Sequence, residues 1–157
     1  MTGPVEDALA KLGLTLPDAP APAANYVPWV VQDGLVYVSG QVSAGPDGFI
    51  TGRLGEDMDV AGGQAAAQAC ALSLLAQLRA ACGGDLSRVT KVVRLGGFVN
   101  STPDFIDQPK VVNGASDLMV AAFGPEIGAH ARAAVGCASL PLGVAVEVEG
   151  LFAIRAA

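Results

Sequence analysis

The pattern of apolar and polar positions divides this chain into alternating helices and strands. In some segments apolar residues recur at helical spacing, and in others they form the continuous or alternating runs typical of strands. The predicted helices are residues 5–12, 59–82 and 109–123, and the predicted strands are residues 27–31, 35–39, 49–51, 89–99, 130–139 and 144–154. This mixed order predicts one small α/β domain.

Residues at the element ends support several of these boundaries. Asp59 is a typical N-cap for the long second helix, which Gly83 and Gly84 end. The pair Asp33-Gly34 predicts a tight β-hairpin between residues 27–31 and 35–39. Within the second helix, a 4-3-4 spacing predicts a buried stripe made of Ala65, Ala69, Leu72 and Ala76.

The last two strands flank residues 140–143, Leu-Pro-Leu-Gly, and are expected to form an antiparallel hairpin. A symmetric register would place Val135 opposite Val148 and Cys137 opposite Val146. One face of the hairpin would then line the core, with Ala133, Val135, Cys137, Val144, Val146 and Val148. The opposite face would carry Arg132, Ala134, Gly136, Glu147 and Glu149.

That second face is the strongest candidate for chemistry. Small residues between Arg132 and the two glutamates would leave a hollow for a small molecule. A guanidinium can hold a carboxylate through paired hydrogen bonds, and a glutamate can orient water or move a proton. The alternative is a surface salt bridge between Arg132 and a glutamate, since such pairs are common on exposed sheets. His130, the only histidine, is interpreted as structural.

Composition excludes several classes of protein. The 157 residues are 52% hydrophobic and 15% charged, which fits one folded domain with part of its surface buried in an oligomer. The net charge of −6 and the absence of a basic stripe make nucleic acid an unexpected partner. No membrane-spanning segment is predicted. The three cysteines lack metal-ligand spacing and indicate reduced thiols, so a cytoplasmic location is expected.

Three motifs in order resemble the RidA/YjgF family. Residues 130–149, HARAAVGCASLPLGVAVEVE, resemble its closing motif of an arginine, a short apolar strand, Leu-Pro, a turn and a Val-Glu-Val-Glu strand. Residues 35–41, LVYVSGQ, resemble its early strand ending in Ser-Gly-Gln, and residues 98–104 resemble its Phe-Val-x-x-x-x-Asp stretch. Asn25-Tyr26 is similar to an element that precedes the first hairpin. The resemblance covers roughly residues 23 to 155.

The resemblance implies a fold and an activity. Such proteins have a chorismate-mutase-like α/β fold, a mixed β-sheet with two helices packed on one face, and form homotrimers with pockets between subunits. Active members hydrolyse enamines and imines derived from amino acids, releasing ammonia and a 2-oxo acid without a metal or other cofactor. The implied domain is residues 23–157, preceded by an N-terminal extension of residues 1–22.

The resemblance also implies roles for individual residues. Arg132 would hold the substrate carboxylate, and Glu147 would help to position the hydrolytic water. The other expected substrate-binding residues are Tyr26, Gly40, Asn113 and Ala134. Active deaminases often carry a cysteine where this chain has Ala134. Two alternatives therefore stay open: a non-catalytic trimer that binds a small carboxylate or another metabolite, and an endoribonuclease, a label that members of this family also carry.

Overall fold

A computed structural model describes residues 2–157. The helices are α1 Pro4–Lys11, α2 Val60–Ala81 and α3 Gln108–Gly128; the strands are β1 Trp29–Gln32, β2 Leu35–Val42, β3 Ala44–Gly45, β4 Gly48–Phe49, β5 Val89–Asn100, β6 Ala131–Cys137 and β7 Val146–Ile154. The predicted N-cap is confirmed, because the Asp59 side chain accepts a hydrogen bond from the backbone of Gly62. The first hairpin is also confirmed: Asp33 and Gly34, with φ of 53° and 77°, adopt the left-handed conformation that its turn requires.

Five strands form one mixed sheet in the order β1-β2-β7-β5-β6. Only β5 and β6 run parallel; the other neighbours are antiparallel. α2 packs on β7 and β2, and α3 packs on β5 and β6, so both lie on one face of the sheet, while α1 packs on α3. The chain therefore has the expected chorismate-mutase-like fold. None of the helices within residues 2–157 has the length and apolarity needed to cross a membrane.

The sheet has one buried face and one open face. Val36, Leu95, Val148 and Phe152 point toward the helices and are fully buried. Residues of the other parity leave large apolar side chains exposed on the face away from the helices, namely Val30, Tyr37 and Val135. This open face lacks a covering layer within the described chain.

The predicted hairpin of the last two strands is wrong. β7 lies between β2 and β5, and β6 pairs in parallel with β5 on its far side. A parallel neighbour requires a crossover, which α3 supplies between β5 and β6. The central position of β7 buries its valines more fully than an edge position would, so the short connection after β6 does not lead to pairing.

The parity assigned to β6 is wrong as well. Arg132 and Ala134 lie on the helix side of the sheet, since their register partners are Leu95 and Gly97. Val135, expected in the core, is 48% exposed. Of the predicted hairpin, only the β7 side keeps its assignment: Val146 and Val148 are buried, as is Val144 just before the strand.

The buried face of α2 also differs from the predicted stripe. Ala65 is exposed, Ala69 and Leu72 are partly buried, and Ala76 is buried. The buried side chains instead include Ala66, Cys70, Leu74 and Leu78. Because alanine occurs all around this helix, spacing alone did not distinguish its faces.

The contact between α2 and α3 depends on Gly114. A Cβ at Gly114 would collide with the backbone of Gln64 in α2. We expect Gly114→Ala to lower the free energy of unfolding by about 1–3 kcal/mol, because overpacking displaces a backbone rather than a flexible side chain. The measurement is urea denaturation. As the control, Gly62→Ala meets only the Met58 and Asp59 side chains and is expected to have a smaller effect. Equal stability of Gly114→Ala and the wild type would contradict this packing.

Candidate functional site

Arg132, near the start of β6, is held against α3 by uncharged groups. Its Nη1 donates to Oδ1 of Asn113 at 2.8 Å and to Oγ of Ser116 at 3.2 Å, and its Nη2 donates to the carbonyl of Pro109 at 3.3 Å. Within residues 2–157, no carboxylate lies within salt-bridge distance of Arg132. The guanidinium is thus oriented but its charge is not neutralised, which leaves it able to bind an anion.

His130 and Ser116 extend this hydrogen-bond network. Nδ1 of His130 lies 2.6 Å from the carbonyl of Gly128, which can only accept, so Nδ1 carries the proton of the neutral ring. Nε2 then accepts from the hydroxyl of Ser116 at 2.9 Å, which leaves the Ser116 oxygen free to accept from Arg132. We call Arg132, Asn113, Ser116 and His130 the arginine cluster.

A cavity of about 640 Å³ lies beside the last residues of β2, which extend past Trp29, the first residue of the antiparallel β1. Its walls include residues 20–24, Tyr26, Gly40 and Leu142, and Glu147 of β7 supplies its carboxylate. A Cβ at Gly40 would collide with the Glu147 carboxylate, so glycine is what allows that side chain to lie across β2. We call this space the glutamate cavity.

The Glu147 side chain is half-buried in largely apolar surroundings. It makes no ion pair within the described chain, and no basic residue borders the cavity. Burial, and secondarily the negative charge of Glu149, raises the pKa of Glu147 above its ordinary value. A carboxyl group whose pKa is moved toward neutrality is better suited to accept and return a proton.

The raised pKa of Glu147 has a consequence for stability. The folded state binds this proton more tightly than the unfolded state, so ionised Glu147 costs stability as the pH rises from the ordinary value of 4.5 through the raised one. We expect Glu147→Gln to raise Tm at pH 7, and the gain to vanish in acid below the ordinary value. Thermal melts across this range measure it, with Glu56→Gln at an exposed glutamate as the control. A lower Tm of Glu147→Gln at pH 7 would contradict the environment described.

The arginine cluster and the Glu147 side chain lie on opposite sides of the sheet. Arg132 pairs with Leu95, which is buried under α3, whereas Glu147 pairs with Phe98, three positions further along β5 and so on the open face. The expectation that Arg132 and the glutamates share one face is wrong, because it rested on the mistaken hairpin. Glu149, the other glutamate of that face, pairs instead with Arg94 at 3.5 Å.

The structure thus sorts the predicted site residues into two groups. Asn113 contacts Arg132, and Ala134 lies two positions further along β6 on the same side of the sheet. Tyr26 and Gly40 border the glutamate cavity together with Glu147. No single chain brings the two groups to one ligand.

Two residues of interest were missed from the sequence. Ser116 follows Asn113 by three positions in a helix, a spacing that places both on one face and could have identified it. Leu142 had no such signal, because its place at the glutamate cavity depends on how the loop after β6 folds back toward β2.

Comparison with known proteins places the chain among its relatives. Protein TCP17 of Trypanosoma cruzi is 52% identical over 151 residues, which are 96% of this chain and 94% of TCP17. The crystal structure of Atu1372 from Agrobacterium tumefaciens is 46% identical, with a TM-score of 0.90 over 97% of this chain and 93% of that one. A putative endoribonuclease from Shewanella oneidensis is 34% identical, with a TM-score of 0.91 over 96% and 99% of the two chains.

These similarities extend over nearly the whole chain, including α1 and the segment before β1. The family profile described as YjgF/chorismate mutase-like, putative endoribonuclease, matches residues 6–154. The chain therefore belongs to the YjgF family.

Proposed function

We propose that this protein hydrolyses small enamines or imines derived from amino acids, and that its reaction sites form between copies of the chain in a homotrimer. One observation carries the proposal: Arg132 lacks a carboxylate partner, and Glu147 lies in a cavity that lacks a cation. A substrate whose carboxylate pairs with Arg132 and whose protonated C=N group faces Glu147 would satisfy both groups. Because the sheet separates them within one chain, they must come from different copies.

The open face of the sheet supports the proposed assembly. Val30, Tyr37 and Val135 are each about half exposed on that face. Exposed apolar surface of this kind is typical of interfaces between subunits. A second copy covering the face would bury these side chains, and the proposed arrangement would place its Arg132 at the glutamate cavity of the first.

The proposed chemistry needs only positioning and proton transfer. Arg132 holds the substrate carboxylate, and Glu147 accepts a proton from a water whose oxygen attacks the carbon of the protonated C=N group. Glu147 then returns the proton to the nitrogen of the carbinolamine and the C–N bond breaks; the proton of the carbinol hydroxyl passes to the departing ammonia, so that a 2-oxo acid and an ammonium ion are released. No electron is gained or lost, and no cofactor takes part in the proposed reaction.

The test is release of ammonia from an imine made in situ. 2-Aminoacrylate, or imines formed from amino acids by a flavin-dependent oxidase, hydrolyse slowly in water, and the protein is expected to accelerate this. Trapping with semicarbazide measures how much imine survives. An unchanged rate at every enzyme concentration would refute the proposed activity.

A second candidate, binding of a small carboxylate without turnover, is favoured by Ala134. The cysteine common in active deaminases is replaced here by a side chain that offers no polar group. Under this alternative, a 2-oxo acid would raise Tm in an Arg132-dependent manner while no imine tested is hydrolysed.

RNA cleavage has less support, because the net charge is −6 and the glutamate cavity has no basic lining. A cytoplasmic location remains part of the proposal, since all three cysteines are free thiols.

A further inference from the structure

In a single chain, the glutamate cavity is larger and more apolar than a two- or three-carbon substrate requires. At about 640 Å³, it falls within the range of pockets that hold ligands of drug size. Most of its lining side chains are apolar, and Phe49 and Leu142 are among them. This space can accommodate a substrate side chain in addition to the reacting atoms.

The segment before β1 forms one wall of the cavity and is fastened there. Residues 20–24, Pro-Ala-Pro-Ala-Ala, supply this wall. The buried Gln77 of α2 donates from Nε2 to the carbonyl of Pro20 at 2.6 Å. The backbone N–H of Ala23 donates to the hydroxyl oxygen of Tyr26 at 3.3 Å, so the same segment positions that side chain. The wall is thus held by one hydrogen bond to Gln77 and another to Tyr26.

Leu142 adds an observation of a different kind. Its φ of 61° lies in the left-handed region, which costs a branched residue about 1–2 kcal/mol and is normally left to glycine or asparagine. The side chain is nevertheless 58% exposed, so burial in the core does not repay this strain. Strained residues of this kind cluster at ligand sites, and Leu142 borders the glutamate cavity.

We propose that the glutamate cavity selects substrates with a large apolar side chain, branched aliphatic or aromatic, and that Leu142 and the wall of residues 20–24 contact that side chain. This inference rests on the proposed function for the carboxylate and the C=N group. It adds the substrate class: 2-imino acids or enamines derived from bulky apolar amino acids.

The experiment compares binding of pyruvate and 4-methyl-2-oxopentanoate by calorimetry, using the full-length assembled protein. A buried methylene contributes roughly fourfold in affinity, so we expect the larger acid to bind about 10- to 50-fold more tightly. Leu142→Asn should reduce this ratio several-fold, and its folding is not at risk because asparagine tolerates the left-handed conformation. Gln77→Leu, which releases the wall, should also reduce it. The matched control Leu12→Asn, at an exposed leucine outside the cavity, should keep the wild-type ratio.

The outcomes separate this inference from the proposed function. The ratio compared is the affinity for 4-methyl-2-oxopentanoate divided by that for pyruvate. A ratio near one in the wild type, a ratio unaffected by Leu142→Asn, or binding of neither acid would overturn the inference. Imine hydrolysis combined with a ratio near one would leave the deaminase proposal standing without it. A high ratio that depends on Leu142, found without hydrolysis of any imine, would support the inference and remove the catalytic proposal.

Discussion

Glu147→Gln is expected to lower kcat for imine hydrolysis by about 10²- to 10⁴-fold, the usual contribution of a general acid–base group. Glutamine keeps the size of the side chain over Gly40 but cannot accept the proton of the attacking water. The affinity for a 2-oxo acid should change little or improve, because the loss of a negative charge cannot weaken attraction for a carboxylate. The measurements are kcat from ammonia release and Kd from calorimetry.

The control for this variant is Glu56→Gln, at an exposed glutamate that does not border the cavity. Its kcat should equal that of the wild type. In wild type, the rate should also fall in acid as Glu147 becomes protonated, with a midpoint above the ordinary glutamate pKa of 4.5. Full activity of Glu147→Gln, or a profile that this variant leaves unchanged, would exclude Glu147 as the proton-transfer group.

Arg132→Ala is expected to raise the Kd for 2-oxo acids by about 10- to 100-fold and to lower kcat/KM by a similar factor. A hydrogen bond to a charged group contributes about 1.5–3 kcal/mol, which sets this range. Arg132→Lys should recover only part of the loss, because an ammonium group cannot reproduce the planar fork that grips both carboxylate oxygens. The Kd of neither variant for 2-oxo acids should depend strongly on pH near neutrality.

The control for the arginine is Arg79→Ala, which removes a cation that pairs at 3.3 Å with Glu6 on the surface. It should leave Kd and kcat/KM at their wild-type values, because Arg79 does not border the glutamate cavity. If Arg132→Ala bound 2-oxo acids as tightly as the wild type, Arg132 would have only its structural contacts with α3.

The elements of this fold could be predicted from local pattern, and the final strand order could not. Asp59 and the pair Asp33-Gly34 act through their own backbone geometry, so their roles are visible in sequence. The partner of β6 is decided by non-local packing. α3 makes the crossover that sets β6 parallel to β5, while β7 gains two neighbours by lying centrally. Short connections favour hairpins, but pairing of β7 with a strand on each of its edges outweighs that tendency here.

The same strand assignment determined how the candidate site was predicted. Arg132 and Glu147 were identified as chemically distinctive residues, and the structure shows both without ion-pair partners among residues 2–157. Their placement on one face was wrong because a neighbouring strand was assigned in error. The cavity wall at residues 20–24 could not be predicted, since it depends on the bond from the distant Gln77 to Pro20.

The most direct test of the composite site is complementation between two impaired variants, assayed at substrate concentrations well below KM. Arg132→Ala and Glu147→Gln chains are dissociated, mixed in equal amounts and reassembled, with each variant treated alone as the control. If each site takes Arg132 from one copy and Glu147 from another, about one quarter of the sites in a random mixture are intact, and activity should recover to about that fraction of wild type. Mixed assemblies, verified by mass spectrometry, that stay as inactive as the separate variants would contradict the account.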